Sequence, residues 1–375
     1  MRLPVAPHAV GRLLRHGLFR HGLLVLLAPL GACHLLRPTP VAPFRPVAPT
    51  DTQRVDLCTT ACRDSVDIVA LGVSGFLIMP WRDTTRLVLT PPAYSNPGAV
   101  RVAVWDLVRG VRSNAPRVWD AVRRMPAADS ARWARVRAVL VGHGHYDHLM
   151  DLPTLAPWLS NATVYGSPSV VHQLHPVRRS LPSDSVSPQA TGGSAIRVGP
   201  SVSAHALAWD HAPNLWDFGL RYTIAPGREH APRTQLPRRA RDWRMGNVLA
   251  WAVDIHDASG AVALRIFLHD AAATGDVVRA AVRSLQTLPA ARRTLSLVVP
   301  ANYDNAAGYP DVLLATLQPD HVLLAHWEDF FRRPSQPLRI VRAIRGPQFL
   351  EHVTPYVGAR WTALAPGSVL RLRTD

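Results

Sequence analysis

Four potential metal ligands stand within six residues, in the run His143-Gly144-His145-Tyr146-Asp147-His148. Neutral imidazole and carboxylate are borderline-to-hard donors that suit zinc, iron or manganese. The apolar stretch from Val136 to Val141 directly precedes the run and reads as a β-strand. A strand fixes the backbone, and a tight loop after it turns several side chains toward one point. Three further candidates sit where other predicted strands end: His211 after the run from Ser201 to Trp209, Asp270 after that from Ala263 to Leu268, and His326 after that from His321 to Ala325. His205 competes with His211 but lies inside its strand pattern. His172, His175, His230, His256 and His321 lack strand-end placement and read as surface or structural histidines.

The order His-x-His-x-Asp-His resembles the signature of the metallo-β-lactamase-fold hydrolases. The resemblance spans roughly residues 66 to 330. It implies an α/β fold, a four-layer αβ/βα sandwich with helices outside two sheets and metals at the sheet edge. It also implies a ligand set. His143, His145 and His211 would hold one divalent ion, Asp147, His148 and His326 a second, and Asp270 would bridge them. Zinc is the expected metal, with manganese and iron as alternatives. Asp147 would also orient the attacking hydroxide, and His269 would be a neighbour supporting the ligands. The wording His-Tyr-Asp-His-Leu, with His326-Trp327, is similar to the branch containing N-acyl-phosphatidylethanolamine phospholipase D-like and ascorbate-6-phosphate lactonase-like hydrolases.

Family members commonly carry an Asp-Pro after the second strand, where the Asp supports the ligands. Here the stretch is Leu89-Thr90-Pro91-Pro92, with Pro91 in the Asp position. Loss of such a carboxylate weakens metal affinity by roughly ten- to a hundred-fold without removing a ligand. The leading expectation is a metal-bound hydroxide attacking a phosphodiester, including a lipid one. The alternatives are a lactone or other cyclic ester or amide, and a metal-binding envelope protein without turnover. No Gly-x-Ser-x-Gly elbow or phosphate-cradling glycine loop appears in the sequence. Trp209, Trp216 and Trp327 are candidates for lining a lipid or ring pocket.

The elements that must position these residues alternate strand and helix patterns, as a layered α/β architecture requires. The run from Val66 to Ile78 reads as a strand with Arg86–Thr90 as its antiparallel partner. Residues 101–135 carry helical spacing broken near Asn114-Ala115-Pro116. Short helices are expected over 152–159 and 167–174, a strand over 162–165, a loop over 176–200, and a polar Arg/Pro-rich insertion over 222–246. A strand over 247–254 and helices over 275–285 and 310–317 complete the pattern.

The 375 residues are 47% hydrophobic and 18% charged, which marks a globular chain. The formal charge of +16 comes entirely from arginine, scattered rather than arranged in an aromatic-interleaved stripe. No nucleic-acid partner is expected, and attraction to anionic headgroups or phosphate-bearing substrates is the functional remainder. Arg2, Arg12, Arg15 and Arg20 precede an apolar run, Gly22–Ala32, too short to span a bilayer but right for a signal peptide. Leu30-Gly-Ala-Cys33 resembles a bacterial lipobox. Residues 1–33 are therefore expected to be a lipoprotein signal, 34–60 a Pro-rich tether and 61–375 the hydrolase domain. The implied location is the cell envelope, anchored to the membrane through lipid on Cys33. Cys58 and Cys62 are candidates for a short-loop disulfide in an oxidising compartment, at a tight spacing that does not itself establish the bond.

Overall fold

Val66, Ile68 and Ala70 enter one apolar core, while Val69 and Leu71, on the same strand, enter another. Burial on both faces explains why the sequence here is a continuous apolar run rather than an alternation. The computed structural model describes residues 40–57, 64–98, 102, 110–125, 130–187, 195–217, 220–222, 225–333, 336–341 and 344–374. In chain order the strands are β1 (Thr52–Asp56), β2 (Asp64–Gly72), β3 (Gly75–Pro80), β4 (Leu87–Leu89), β5 (Val136–Leu140), β6 (Thr163–Gly166), β7 (Ser183–Ser185), β8 (Ile196–Gly199) and β9 (Val202–Trp209). They continue with β10 (Leu215–Asp217), β11 (Leu220–Tyr222), β12 (Val248–His256), β13 (Val262–Leu268), β14 (Ala291–Val298), β15 (His321–Leu324), β16 (Trp361–Ala363) and β17 (Val369–Thr374).

One mixed sheet runs β1-β17-β2-β3-β4-β5-β6-β7 and the other β16-β15-β14-β13-β12-β9-β8. The first core lies between the sheets, where Ile68, Ile78 and Leu140 meet Trp251, Val253 and Ile266. Helices α1 (Ala115–Arg123), α2 (Ser130–Trp133), α3 (Tyr146–Leu149), α4 (Leu152–Leu155) and α5 (Pro168–Leu174) follow in chain order. Their apolar residues, among them Val118, Trp133 and Leu155, cover the outer face of the first sheet. Helices α6 (Gly275–Gln286), α7 (Asp311–Leu317) and α8 (Gly346–Val357) pack on the second. The architecture is the four-layer αβ/βα sandwich of the metallo-β-lactamase fold.

Several elements differ from the sequence reading. The run from Val66 to Ile78 is not one strand but the β2–β3 hairpin, turning at Val73-Ser74. The apparent helix break at Asn114 is a helix start: the Asn114 side chain accepts from Arg117 N at 3.2 Å, and Pro116 occupies the first turn. Residues 103–109 of that expected helix lie outside the described residues. The stretch read as loop over 176–200 contributes β7 and β8.

The Pro-rich segment after residue 34 is not wholly a free tether. From residue 40 onward it packs on the domain: Phe44 is fully buried, edge-on to Trp327 and Phe349 at 6.0 Å each, and β1 pairs in parallel with β17. Composition hides this, because one aromatic among prolines carries the packing. Cys33, Cys58 and Cys62 lie outside the described residues. No helix among the described residues is long and apolar enough to cross a membrane.

Candidate metal centre

The seven predicted ligands converge at one edge of the sandwich. His143 follows β5, His211 follows β9, Asp270 follows β13 and His326 follows β15. Each stands two or three residues past its strand. Asp147 and His148 are carried by the single turn of α3, directly after His145. Open α/β sheets place their binding groups at such strand ends because the backbone there is free to turn inward while the sheet holds it.

The side chains form three overlapping groups: His143, His145 and His211; His143, His148 and Asp270; and Asp147, His148 and His326. Within each, the donor atoms lie within 4.8 Å of one another. His143 Nδ1 meets Asp270 Oδ1 at 2.9 Å, and its Nε2 faces His145 Nδ1 at 2.9 Å. His211 Nδ1 is occupied by the Ala212 carbonyl at 2.6 Å, which leaves Nε2 for the site. Asp270 Oδ2 stands 3.5 Å from His148 Nδ1, so its two oxygens touch one imidazole of each expected metal group. Asp147 Oδ2 stands 3.3 Å from His326 Nε2 and 3.7 Å from His148 Nε2.

Two glycines that the sequence reading did not use make this geometry possible. A Cβ on Gly142 would overlap the Asp270 carboxylate, so the observed place of that carboxylate requires bare backbone there. A Cβ on Gly144 would overlap the Arg244 carbonyl. Gly144 N donates to Met245 O at 2.8 Å, and Gln173 grips Arg244 through Nε2 to O (2.9 Å) and from Arg244 N to Oε1 (2.7 Å). The insertion over 225–246 is therefore a strap hydrogen-bonded to the loop between the first two histidines. The signal was present in the spacing: a glycine between two ligands marks a close approach of another chain segment.

His326 adopts a left-handed backbone (φ 51°), as does Val73 (φ 58°) in the β2–β3 turn. His326 N donates to Val73 O at 3.0 Å, and Val73 N donates to the buried Glu328 carboxylate. Burial pushes the Glu328 carboxyl above its ordinary pKa, opposed by Arg332 at 3.6 Å. The last histidine is thus locked to the hairpin turn by a loop whose Glu328 the sequence reading passed over.

The remaining histidines stand apart from the groups. His269 is buried, stacked on Trp209 at 4.7 Å, with Nδ1 on the Ala271 carbonyl. His205 approaches Asp254 at 3.9 Å, and His321 pairs with Thr362. His172 and His175 hold backbone carbonyls of the strap, and His256 pairs with Ser203. Trp209 and Trp327 are buried rather than pocket-lining, the first because its Nε1 donates to Ala271 O and the second because it packs on Phe44. The Trp216 side chain lies outside the described residues. Pro91 borders a small cavity beside His148 and Asp270, shared with Ser74, Trp251 and His269. No carboxylate stands at the Pro91 position to support the ligands.

The donor set fits divalent cations. Burial holds the imidazoles of His143, His145 and His211 below their ordinary pKa, and that of His148 down to about 4. They are neutral, with lone pairs available for coordination. Burial opposes ionisation of Asp147, but His148 and His326 outweigh it and its carboxyl lies well below the usual range. Neutral imidazoles crowded against two carboxylates leave a site that a cation completes.

Fold and site together define a metal-dependent hydrolase of the αβ/βα class. The model of the beta-lactamase superfamily domain matches residues 103–327, and the chain belongs to that superfamily. Among solved structures it is similar to Igni18, a metallo hydrolase from the archaeon Ignicoccus hospitalis KIN4/I, at 12% identity and TM-score 0.48, covering 83% of this chain and 100% of that one. It is also similar to zinc-bound PqqB from Methylobacterium extorquens (12% identity, TM-score 0.43, 82% and 99% covered). A third is BJP-1, a subclass B3 metallo-β-lactamase of Bradyrhizobium japonicum (13%, 0.32, 79% and 89%). No curated protein matches it in sequence.

The buried imidazoles make the metal-free protein sensitive to acid. A lowered folded-state pKa means that the unfolded chain binds protons first, so stability is complete above about 6.5 and is lost as pH falls toward about 4. Thermal unfolding of the metal-free protein should show a Tm that falls steadily across that window. A Tm that stays level from pH 7 to 4 would contradict neutral burial of these side chains.

Proposed function

We propose that the chain hydrolyses a phosphodiester, lipid diesters included, at the cell envelope. The observation that carries the hydrolytic reading is the Asp270 carboxylate set between His143 and His148, with a ligand group on either side. Two divalent ions held there, zinc by preference, would bring the pKa of a bound water toward about 7 and polarise the bond to be cleaved. His143, His145 and His211 form one holding group, and Asp147, His148 and His326 the other. Asp147, ionised and at the rim, accepts a hydrogen bond from the attacking water and aims it. His211 and His143 are fixed in orientation by Ala212 O and Asp270, so neither has to reorganise during the reaction.

The strap supports an anionic substrate over a neutral lactone. Its stretch from Arg228 to Arg244 carries six arginines against Glu229 and Asp242. Arg233 pairs with Glu229, and Arg228, Arg238, Arg241 and Arg244 are exposed. Because the strap is bonded at Gly144, this positive charge lies beside the site, where it raises the local concentration of anions.

A lipid anchor on Cys33 favours a substrate at the membrane. Six residues lie between Cys33 and Pro40, a span of at most about 25 Å. Phe44 packs under Trp327, the neighbour of His326. A tether of that length would hold the domain close to the bilayer.

Metal-loaded protein should cleave bis(p-nitrophenyl) phosphate, and Arg244→Ala should raise KM several-fold with kcat nearly unchanged. Turnover of simple lactones with no diester cleavage would replace this reading with the lactonase one. Expressed in a bacterial host, the protein should fractionate with membranes, and Cys33→Ser should release it to the soluble fraction. Identical fractionation of the two forms would rule out the anchor.

A further inference from the structure

Asp151 is buried, at 2% exposure, three residues after His148. Its Oδ2 accepts from Tyr94 N and Ser95 N, both at 2.8 Å, and its Oδ1 from the hydroxyls of Ser95 (2.5 Å) and Ser113 (2.7 Å). All four donors are neutral. Three other buried carboxylates, by contrast, face guanidinium groups: Asp67 pairs with Arg371, Asp254 with Arg265 and Glu328 with Arg332. A carboxylate buried without a guanidinium beside it has lost its hydration, and here its lone pairs are filled by these four donors instead.

The contacts run from Asp151 in two directions. Its backbone O accepts from Thr154 N and Leu155 N, which seats α4 directly behind the α3 turn carrying Asp147 and His148. Across the carboxylate lies the loop after β4. There Tyr94 flanks Gly72 together with Glu328: a Cβ on Gly72 would stand 3.6 Å from Glu328 Oε1 and 3.9 Å from the Tyr94 ring. Glu328 holds Val73 N, and Val73 O holds His326 N. A run of neighbouring groups therefore links the Asp147–His148 turn to His326 through the segment that contains Pro91. Ser113 and Asn114 extend it to the start of α1, since Ser95 Oγ also accepts from Asn114 N.

We propose that Asp151 is the positioning carboxylate of the second ligand group, fixing Asp147 and His148 relative to His326 in place of the strand-end carboxylate that Pro91 lacks. The inference rests on the two-metal reading above. Asp151 touches no ligand side chain; it acts through the loop and the turn. An Asn at this position presents an amide NH2 to donors and keeps only one accepting oxygen, so half of the cradle opens while the volume is unchanged.

The test is titration of the metal-free full chain with cobalt(II), followed by its visible absorption, for wild type and Asp151→Asn. Wild type should fill in two steps. Asp151→Asn should weaken the second step about ten- to a hundred-fold, the range for lost ligand support, and leave the first, at His143, His145 and His211, as it is. Ser95→Ala, which keeps three of the four donors, should give a smaller shift of the same step and serves if Asp151→Asn does not fold. Equal weakening of both steps in parallel with a fall in Tm would reduce Asp151 to a structural role and overturn the proposal, as would two unchanged steps. A wild type that takes up a single ion would overturn the two-metal reading itself, and the proposal with it.

Discussion

The Asp270 carboxylate rests against the bare backbone of Gly142, and the rest of the site is arranged around that contact. The approach is close because β5 and β13 belong to different sheets, and their ends meet only at this edge. With no side chain at 142, one carboxylate reaches His143 and His148 at once. Everything else serves to keep imidazoles neutral, buried and aimed at the same small volume. The sandwich supplies the burial, because its strands are covered on both faces.

The price of that burial is a set of polar groups that must be matched from elsewhere in the chain. His211 uses a carbonyl one residue away, and Glu328 uses Arg332 and the Val73 amide. The Arg244 carbonyl and the Gly144 amide are satisfied between the strap and α5 or the ligand loop. The Val73, Gln173 and Met245 partners come from segments distant in sequence, so the site is complete only when those segments have come together. Glu328 shows the scale of the separation: its partner amide lies 255 residues away.

The fold was legible because strand-end placement survives without any knowledge of tertiary contacts. Val136–Leu140 before His143 and Val262–Leu268 before Asp270 are short apolar runs that stop at a ligand. The seven donors that the structure brings together were readable from the compact His143–His148 run and from His211, Asp270 and His326 standing just past apolar runs. Other features were hidden by physics that sequence does not display. The β2–β3 turn has no Asn-Gly or Gly-Gly signature; Val73 takes its left-handed backbone because Glu328 and His326 hold both of its backbone polar groups. Phe44 and β1 were obscured by proline content, and their partners Phe349 and β17 lie about three hundred residues later. Trp209 and Trp327 stand beside site residues yet are buried, because adjacency in sequence does not set the side a residue faces.

The central claim is that Asp270 joins two ligand groups into one dinuclear centre. Mass-spectrometric metal content of the purified chain, beside Asp270→Ala, tests it most directly. The account predicts about two metal ions per chain in the wild type, falling to one or fewer in the variant while the fold is retained. A content of one or none that does not change in Asp270→Ala would contradict it.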